Sequence, residues 1–297
     1  MITGYIKKKG EQTMIRDDLG TRMKEYEKRN RYYLQRRIPV IVRLDMKAGH
    51  TFTKGFQRPF DELFIKSMQE TAKYLCENVQ NCKLSYQQSD EITLVLIDYE
   101  NFNTDSWFDY RVDKLCSIAA SMATMAFNKL FEDKVQKWCQ KRESSLSIDE
   151  DFTLAATYRK ATKMGAMFDA RCFNVPKEEV TNLVYWRQLD ASRNSIQMVG
   201  QANFSHKELQ NKSCNDIQDM LFTQKGINWN DLPTYQKRGS CCIKEYYQSE
   251  EVDIKEGPCV RSRWIIDKEI PIFKGEGRDY VEKLINFKEN RDESLQV

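Results

Sequence analysis

Apolar positions along this chain recur with two different periods. Val40-Ile41-Val42-Arg43-Leu44-Asp45 is a β-branched run entered from Pro39 and closed by an acid, the pattern of a buried strand. Phe64, Met68, Ala72, Leu75 and Val79 step by four, four, three and four, which is one face of a helix. Pro59 stops the chain before it and Asp61 is its expected cap. Lys83–Gln87 and Glu91–Asp98 then flank Gln88-Ser89-Asp90. In the second run Ile92, Leu94 and Leu96 alternate with Thr93, Val95 and Ile97, so both sides are largely apolar. This predicts a hairpin central in a sheet. Asp113–Cys139 predicts a long helix whose Ala119, Ala120, Ser121, Ala123 and Ala126 permit close packing, followed by a polar loop over Lys141–Asp151. Ala166–Val175 predicts another strand, and Lys177–Val180 a turn into a helix over Leu183–Gln201. From Phe204 onward we expect polar helix and loops around Gly226, Gly239 and Gly257, with Trp264-Ile265-Ile266 and Ile270-Pro271-Ile272-Phe273 as core or as a contact surface.

The N-terminal end has another character. Met1–Thr13 is polar and lysine-rich and reads as a disordered leader, with Met14 as an alternative start. Arg16–Arg37 is a highly charged helical segment. Its stripe of Leu19, Met23, Tyr26 and Tyr33 either docks on the domain or meets RNA or another subunit. Length and composition add limits. A chain of 297 residues buries roughly three quarters of its unfolded surface, so it needs neither disulfides nor a structural metal to fold. Forty-seven basic residues against 44 acidic ones give a net charge of +3, which excludes a histone-like polycation and leaves room for a local basic groove. Apolar runs such as Leu94–Ile97 fall far short of the ~20 residues of a membrane span, and Met1–Thr13 has no secretory apolar segment. The nine cysteines include no Cys-x-x-Cys pair, and His50 and His206 are the sole histidines. Zinc is therefore not expected, and reduced thiols in a cytoplasmic protein are.

The candidate chemistry lies in the first hundred residues. A right-handed crossover would return the second strand close to the first, so that Asp45 at a strand end faces Asp90 at the hairpin turn. Two carboxylates so close repel unless a cation sits between them. Mg²⁺ binds through one or two carboxylates plus substrate phosphates, and a pair of such ions serves nucleotidyl transfer. Solvated turn carboxylates are the alternative. Glu91 is read as a ligand or as a supporting acid, since a regular strand turns it away from Asp90. Met46–His50, containing Gly49, brings backbone amides close enough for a triphosphate. Arg111 and Lys114 share a helix face and are available to phosphate or are surface charge. Arg171, inside an apolar strand segment, needs an anionic partner.

Five ordered blocks carry a family resemblance: Arg43-Leu44-Asp45 with His50, Tyr86-Gln87-Gln88-Ser89-Asp90-Glu91, Phe168-Asp169-Ala170-Arg171, Tyr185-Trp186-Arg187-Gln188-Leu189-Asp190, and Tyr235-Gln236-Lys237-Arg238-Gly239. In them the chain resembles the tRNA-His guanylyltransferases, enzymes that extend RNA in the 3′–5′ direction, over about residues 16–245. The resemblance implies an α+β fold: a polymerase- or cyclase-like palm with a ferredoxin-like antiparallel sheet and packed helices, plus a helical C-terminal region, assembled as a homotetramer. It divides the chain into the leader (1–13), a catalytic palm part with the N-terminal helix (14–140), completion of the palm sheet (141–180) and an RNA-contact and C-terminal region (181–297). ATP activates a 5′-monophosphate tRNA end, and the 3′-hydroxyl of an incoming nucleoside triphosphate, GTP preferred, attacks the activated phosphate.

By the same resemblance Asp45, Asp90 and Glu91 are catalytic, and Asp45, Asp90 and the Met46 carbonyl hold two Mg²⁺ ions. Arg43, Lys47, Ala48, Gly49, His50, Arg58, Ser89, Arg111 and Lys114 bind the triphosphates. Arg171, Arg187, Asn194, Lys237 and Arg238 meet the RNA 5′ end and its phosphates. The bases Arg43, Arg58, Arg111, Lys114 and Arg171 are expected to converge on one site. Two departures stand out. Met46 replaces the usual glycine, and Ser192-Arg193-Asn194-Ser195 replaces the His-Ile-Asn-Asn block tied to tRNA-His. The second points to the branch that repairs 5′-truncated tRNAs by templated addition. A palm-fold nucleotide cyclase and a non-catalytic tRNA-binding module are the alternatives.

Overall fold

The structure, a computed structural model, describes residues 19–143, 150–253 and 257–286. Helix α1 occupies residues 19–28, after which the charged helical pattern expected to Arg37 gives way. Backbone pairing overrides it: the Leu34 N–H donates to the Tyr110 carbonyl, and the Val112 N–H to that of Tyr32. Leu19, Met23, Tyr26 and Tyr33 remain exposed, so their stripe does not dock on the described domain. Met1–Thr13 and Met14 lie outside the described residues.

The next elements are β1 (Val40–Met46), α2 (Gly49–Phe52), α3 (Glu62–Asn78), β2 (Cys82–Gln88) and β3 (Glu91–Leu96). They are followed by α4 (Val112–Glu143), α5 (Glu150–Met164), β4 (Phe168–Asn174) and α6 (Val180–Asn203). The last described elements are α7 (His206–Leu209), α8 (Cys214–Lys225), α9 (Thr234–Arg238), β5 (Ser240–Asp253), β6 (Gly257–Asp267) and α10 (Asp279–Ile285). The six described strands form one antiparallel sheet in the order β4-β1-β3-β2-β5-β6. Its first four positions are those of a ferredoxin-like split βαβ sheet. The neighbour of β1 is thus β3, not β2, and the hairpin brings the turn at Asp90 to the end of β1 by that route.

The alternation along β1 assigns the two layers. Val40, Val42, Leu44 and Met46 join a core with Phe64, Met68, Leu75, Phe127 and Phe131 of α3 and α4, while Ile41 faces Val95, Val180 and Val184 beneath α6. Asp61 caps α3 as expected, its Oδ1 accepting from the Phe64 N–H at 2.9 Å. Three expectations need correction. The polar loop expected over Lys141–Asp151 is helical at both ends, since α4 runs to Glu143 and α5 begins at Glu150. Tyr158 of α5 is buried against Phe56, Phe131 and Trp138. Next, the region from Phe204 onward is helical as far as Arg238 and again at α10, with strands between them. The β5–β6 hairpin then adds two strands to the palm sheet, Gly257 pairing with Asp253 rather than looping. Beyond Ile243 this hairpin leaves β2 behind, so its outer half lacks the one-sided alternation that marks a strand in sequence. Finally, Arg171 is not buried: β4 is an edge strand and its side chain is 51% exposed.

Candidate active site

The face of the sheet that carries Ile41 turns polar towards the end of β1. Strand register places Asp45 directly opposite Glu91 on β3 and Asp169 on β4, with Arg43 opposite Thr93 and Arg171 one step back on the same face. Asp90 joins from the hairpin turn, its carbonyl accepting from the Met46 N–H at 3.1 Å. Burial pushes the Asp45 carboxyl above its usual pKa, and Asp90, Glu91 and Asp169 add to the shift. Arg171 opposes it. Asp45 is therefore an acid short of positive charge. Gly49 lies directly under Asp90: a Cβ there would be 2.0 Å from Oδ2, so any larger residue has to displace that carboxylate.

Glu91 has a different task. Its carboxylate accepts two hydrogen bonds from Arg187 of α6, at 2.7 and 2.8 Å, and Arg187 also bonds Asp190. The pair is buried and bolts α6 to β3. Arg187 is thus committed inside the fold through its Nε and Nη2. The Arg43 Nε, 3.9 Å from Glu91, is buried with no hydrogen-bond partner among the described residues. Arg171 pairs with Asp169 at 3.3 Å, so its required anion is a carboxylate.

The remaining predicted residues separate into groups. His50, Arg58, Ser89, Asp90 and Asn194 line a cavity of about 410 Å³ together with Gly49. Phe56, Phe60, Phe64 and Met198 give it an apolar wall, and Gln87, Gln88, Gln201 and Gln236 a polar one. Asp61 also lines it, already satisfied by Gln57, Phe64 and Tyr158. Lys47 donates its backbone N–H to the Met167 carbonyl at 2.8 Å, so this amide is not free for a phosphate. Ala48 follows in the left-handed region and turns the chain into α2, whose first amides, at Gly49 and His50, have no intrahelical acceptor. Arg111 bonds Asp113, and Lys114 is exposed beside it, both at the start of α4. That helix packs under the opposite face of the sheet, so the five bases do not all converge on the carboxylates. Lys237 is buried: its Nζ bonds the Asn230 carbonyl, and burial with the adjacent Arg238 pulls its pKa down. The Arg238 carbonyl accepts from the Tyr86 hydroxyl at 2.6 Å, and Gly239 (φ 84°) follows where a Cβ would strike the Gln87 carbonyl.

Two features escaped the sequence reading. Asp169 stands two residues before Arg171 and therefore on the same strand face, a signal present in Phe168-Asp169-Ala170-Arg171. The apolar cavity wall gave none, because Phe56, Phe60 and Met198 come from unrelated segments.

Two acids at adjoining ends of a ferredoxin-like sheet, beside a cavity of small-molecule size, define a palm-type enzyme of phosphoryl transfer. Residues 20–176 match the family model described as tRNAHis guanylyltransferase, and the chain belongs to that family of nucleotidyltransferases. The tRNA(His) guanylyltransferase of Saccharomyces cerevisiae is 28% identical over 220 residues, which are 69% of this chain and 82% of the yeast protein. A bacterial tRNA(His) guanylyltransferase-like protein in complex with ATP is 42% identical with a TM-score of 0.73, covering 91% of this chain and 100% of that one. A bacterial protein of the same description in complex with GTP is 39% identical at a TM-score of 0.70, with the same coverage.

Proposed function

We propose that this enzyme is a Mg²⁺-dependent 3′–5′ nucleotidyltransferase that adds nucleotides to the 5′ ends of tRNAs, and that it belongs to the branch repairing truncated 5′ ends. The observation that carries the reading is the Asp45–Asp90–Gly49 arrangement. An under-neutralised acid stands beside a second one, and the neighbouring backbone is so close that a side chain at Gly49 would displace the Asp90 carboxylate. Among the described residues no three His, Cys, Asp or Glu side chains form a metal cage. Mg²⁺ does not need one, because two carboxylates and substrate phosphates suffice. Asp45, Asp90 and the Met46 carbonyl would hold the two ions, which would lower the pKa of an attacking hydroxyl and stabilise the leaving group.

The chain's own residues bind and orient. The cavity takes a nucleoside, and the amides from Ala48 to His50, with Lys47, Arg58 and Ser89, lie on the path of its triphosphate. Arg111 and Lys114 serve a second triphosphate only by reaching around the sheet edge. Glu91, held by Arg187, positions Arg43 and α6 rather than ligating metal. Asn194 contributes to the cavity, and Arg171 and Arg238 remain for RNA phosphates. In the first step an oxygen of the tRNA 5′-monophosphate attacks the α-phosphorus of ATP and pyrophosphate leaves. In the second, the 3′-hydroxyl of a nucleoside triphosphate attacks the activated 5′ phosphorus and AMP leaves. With Ser192-Arg193-Asn194-Ser195 in place of His-Ile-Asn-Asn, pairing with the opposing acceptor strand selects the nucleotide.

The described cysteines are free thiols, which supports a reducing, cytoplasmic setting, and the exposed α1 stripe supports assembly into a homotetramer. The test is extension of 5′-truncated, 5′-monophosphorylated tRNA with ATP, labelled GTP and Mg²⁺, run beside full-length tRNA-His. Preferential extension of truncated tRNAs is expected. Extension of tRNA-His alone overturns the repair reading.

A further inference from the structure

Trp186 lies one residue before the buried Arg187 on α6, yet it is 54% exposed. Its ring is not loose. The Arg187 guanidinium lies 4.6 Å from the ring centroid and that of Arg43 5.8 Å, and Arg187 is itself fixed by Glu91 and Asp190. Such cation–π contacts hold the indole in one place. Leu189, one turn on along the same helix face, is 51% exposed, so an apolar surface continues from the ring. The relation to the reacting groups follows from register: Arg43 and Asp45 are two residues apart on one strand face, and Asp45 stands opposite Glu91. The contiguous series Trp186, Arg43, Glu91, Asp45 therefore leads from an exposed aromatic face to the carboxylates. The cavity draws on another face of α6, at Ala191, Asn194 and Ser195.

A nucleotide transfer needs two sites, one on each side of the metal carboxylates. An exposed, immobilised indole suits any base, because every base offers a π-face. Arg43 supplies a second pointer: its side chain is partly exposed and meets Glu91 only at 3.9 Å, so its guanidinium keeps charge to offer a phosphate when substrate binds. We infer that Trp186 is the stacking platform for the terminal base at the 5′ end of the RNA, with Arg43 directed to the adjoining phosphate. This rests on the reading of the site as one of RNA 5′-end extension.

The test uses the full chain and an acceptor-stem RNA hairpin with a 5′-monophosphate and 2-aminopurine as its 5′-terminal base. Wild-type protein quenches the fluorophore on binding, and Trp186→Phe retains most of the quenching. Trp186→Leu loses it and raises KM for RNA about tenfold, leaving KM for ATP unchanged. Circular dichroism checks that both variants fold. The inference is overturned if Trp186→Leu quenches like the wild type at an unchanged KM for RNA. It is equally overturned if KM for ATP rises instead, which places the triphosphate's base on the ring, or if the variant changes only the sedimentation of the protein, which makes the face a subunit contact. Quenching is read without any triphosphate present. Failure of the wild type to transfer AMP to the RNA therefore counts against the enzymatic reading and is separable from failure of the stacking.

Discussion

At the scale of single residues the site is defined by how little room and how much charge it holds. A methyl group on Gly49 would sit 2.0 Å from the Asp90 carboxylate, so Gly49→Ala must displace that carboxylate or the turn before α2. A displacement near 1 Å costs about a hundredfold in rate, and the expected outcome is such a loss in kcat at an unchanged melting temperature. Asp45 gives the complementary case. Its folded-state pKa is raised, chiefly by burial and then by its acidic neighbours, so the folded state holds the proton more tightly than the unfolded chain. The stability it contributes is full below the ordinary carboxylate range and is lost as pH rises through the raised value. Asp45→Asn is therefore expected to stabilise the metal-free protein above that range while abolishing transfer, and thermal melts across pH with and without Mg²⁺ read both effects. Gly49 was visible in the sequence as a turn residue. That it lies under Asp90 was not, because the contact depends on the fold of two segments about forty residues apart.

At the scale of elements, one buried ion pair fixes the helix that covers the site. Arg187 and Glu91 are both nearly inaccessible, and removing one partner leaves the other charge buried. Arg187→Ala is expected to cost about 3–5 kcal/mol in urea unfolding, and Glu91→Gln to lower activity through displacement of α6 and Arg43. The sequence offered both residues as site candidates but could not pair them, since the match depends on the rotation of α6 over β3. The elements with strong periodicity were legible: β1, α3, the β2–β3 hairpin, the body of α4 and the body of α6. Helix α5 was missed because its buried face is little more than Tyr158 and Ala161 amid polar residues. The β5–β6 hairpin was missed because its outer half pairs only with itself and carries Lys244, Glu245, Tyr246 and Tyr247 without a clean alternation.

At the scale of the whole molecule, a small net charge of +3 conceals an uneven field. Acids gather at Asp45, Asp90, Glu91 and Asp169, and several bases expected to face phosphate are instead spent on internal pairs, Arg187 and Lys237 above all. Under the proposed function the phosphate-facing set is therefore smaller than the sequence motifs suggest, and the Trp186 face and the β4 edge are proposed to add binding energy for RNA. Under the same proposed function Asp45 and Asp90 carry out nucleotidyl transfer to an RNA 5′ end. This is tested most directly by incubating 5′-monophosphorylated, truncated tRNA with α-labelled ATP and Mg²⁺, with no second triphosphate, and following label on the RNA. The account predicts AMP attached to the tRNA 5′ phosphate by the wild type, and none by Asp45→Asn or Asp90→Asn. Unlabelled RNA with the wild type, or full labelling with either variant, would contradict it.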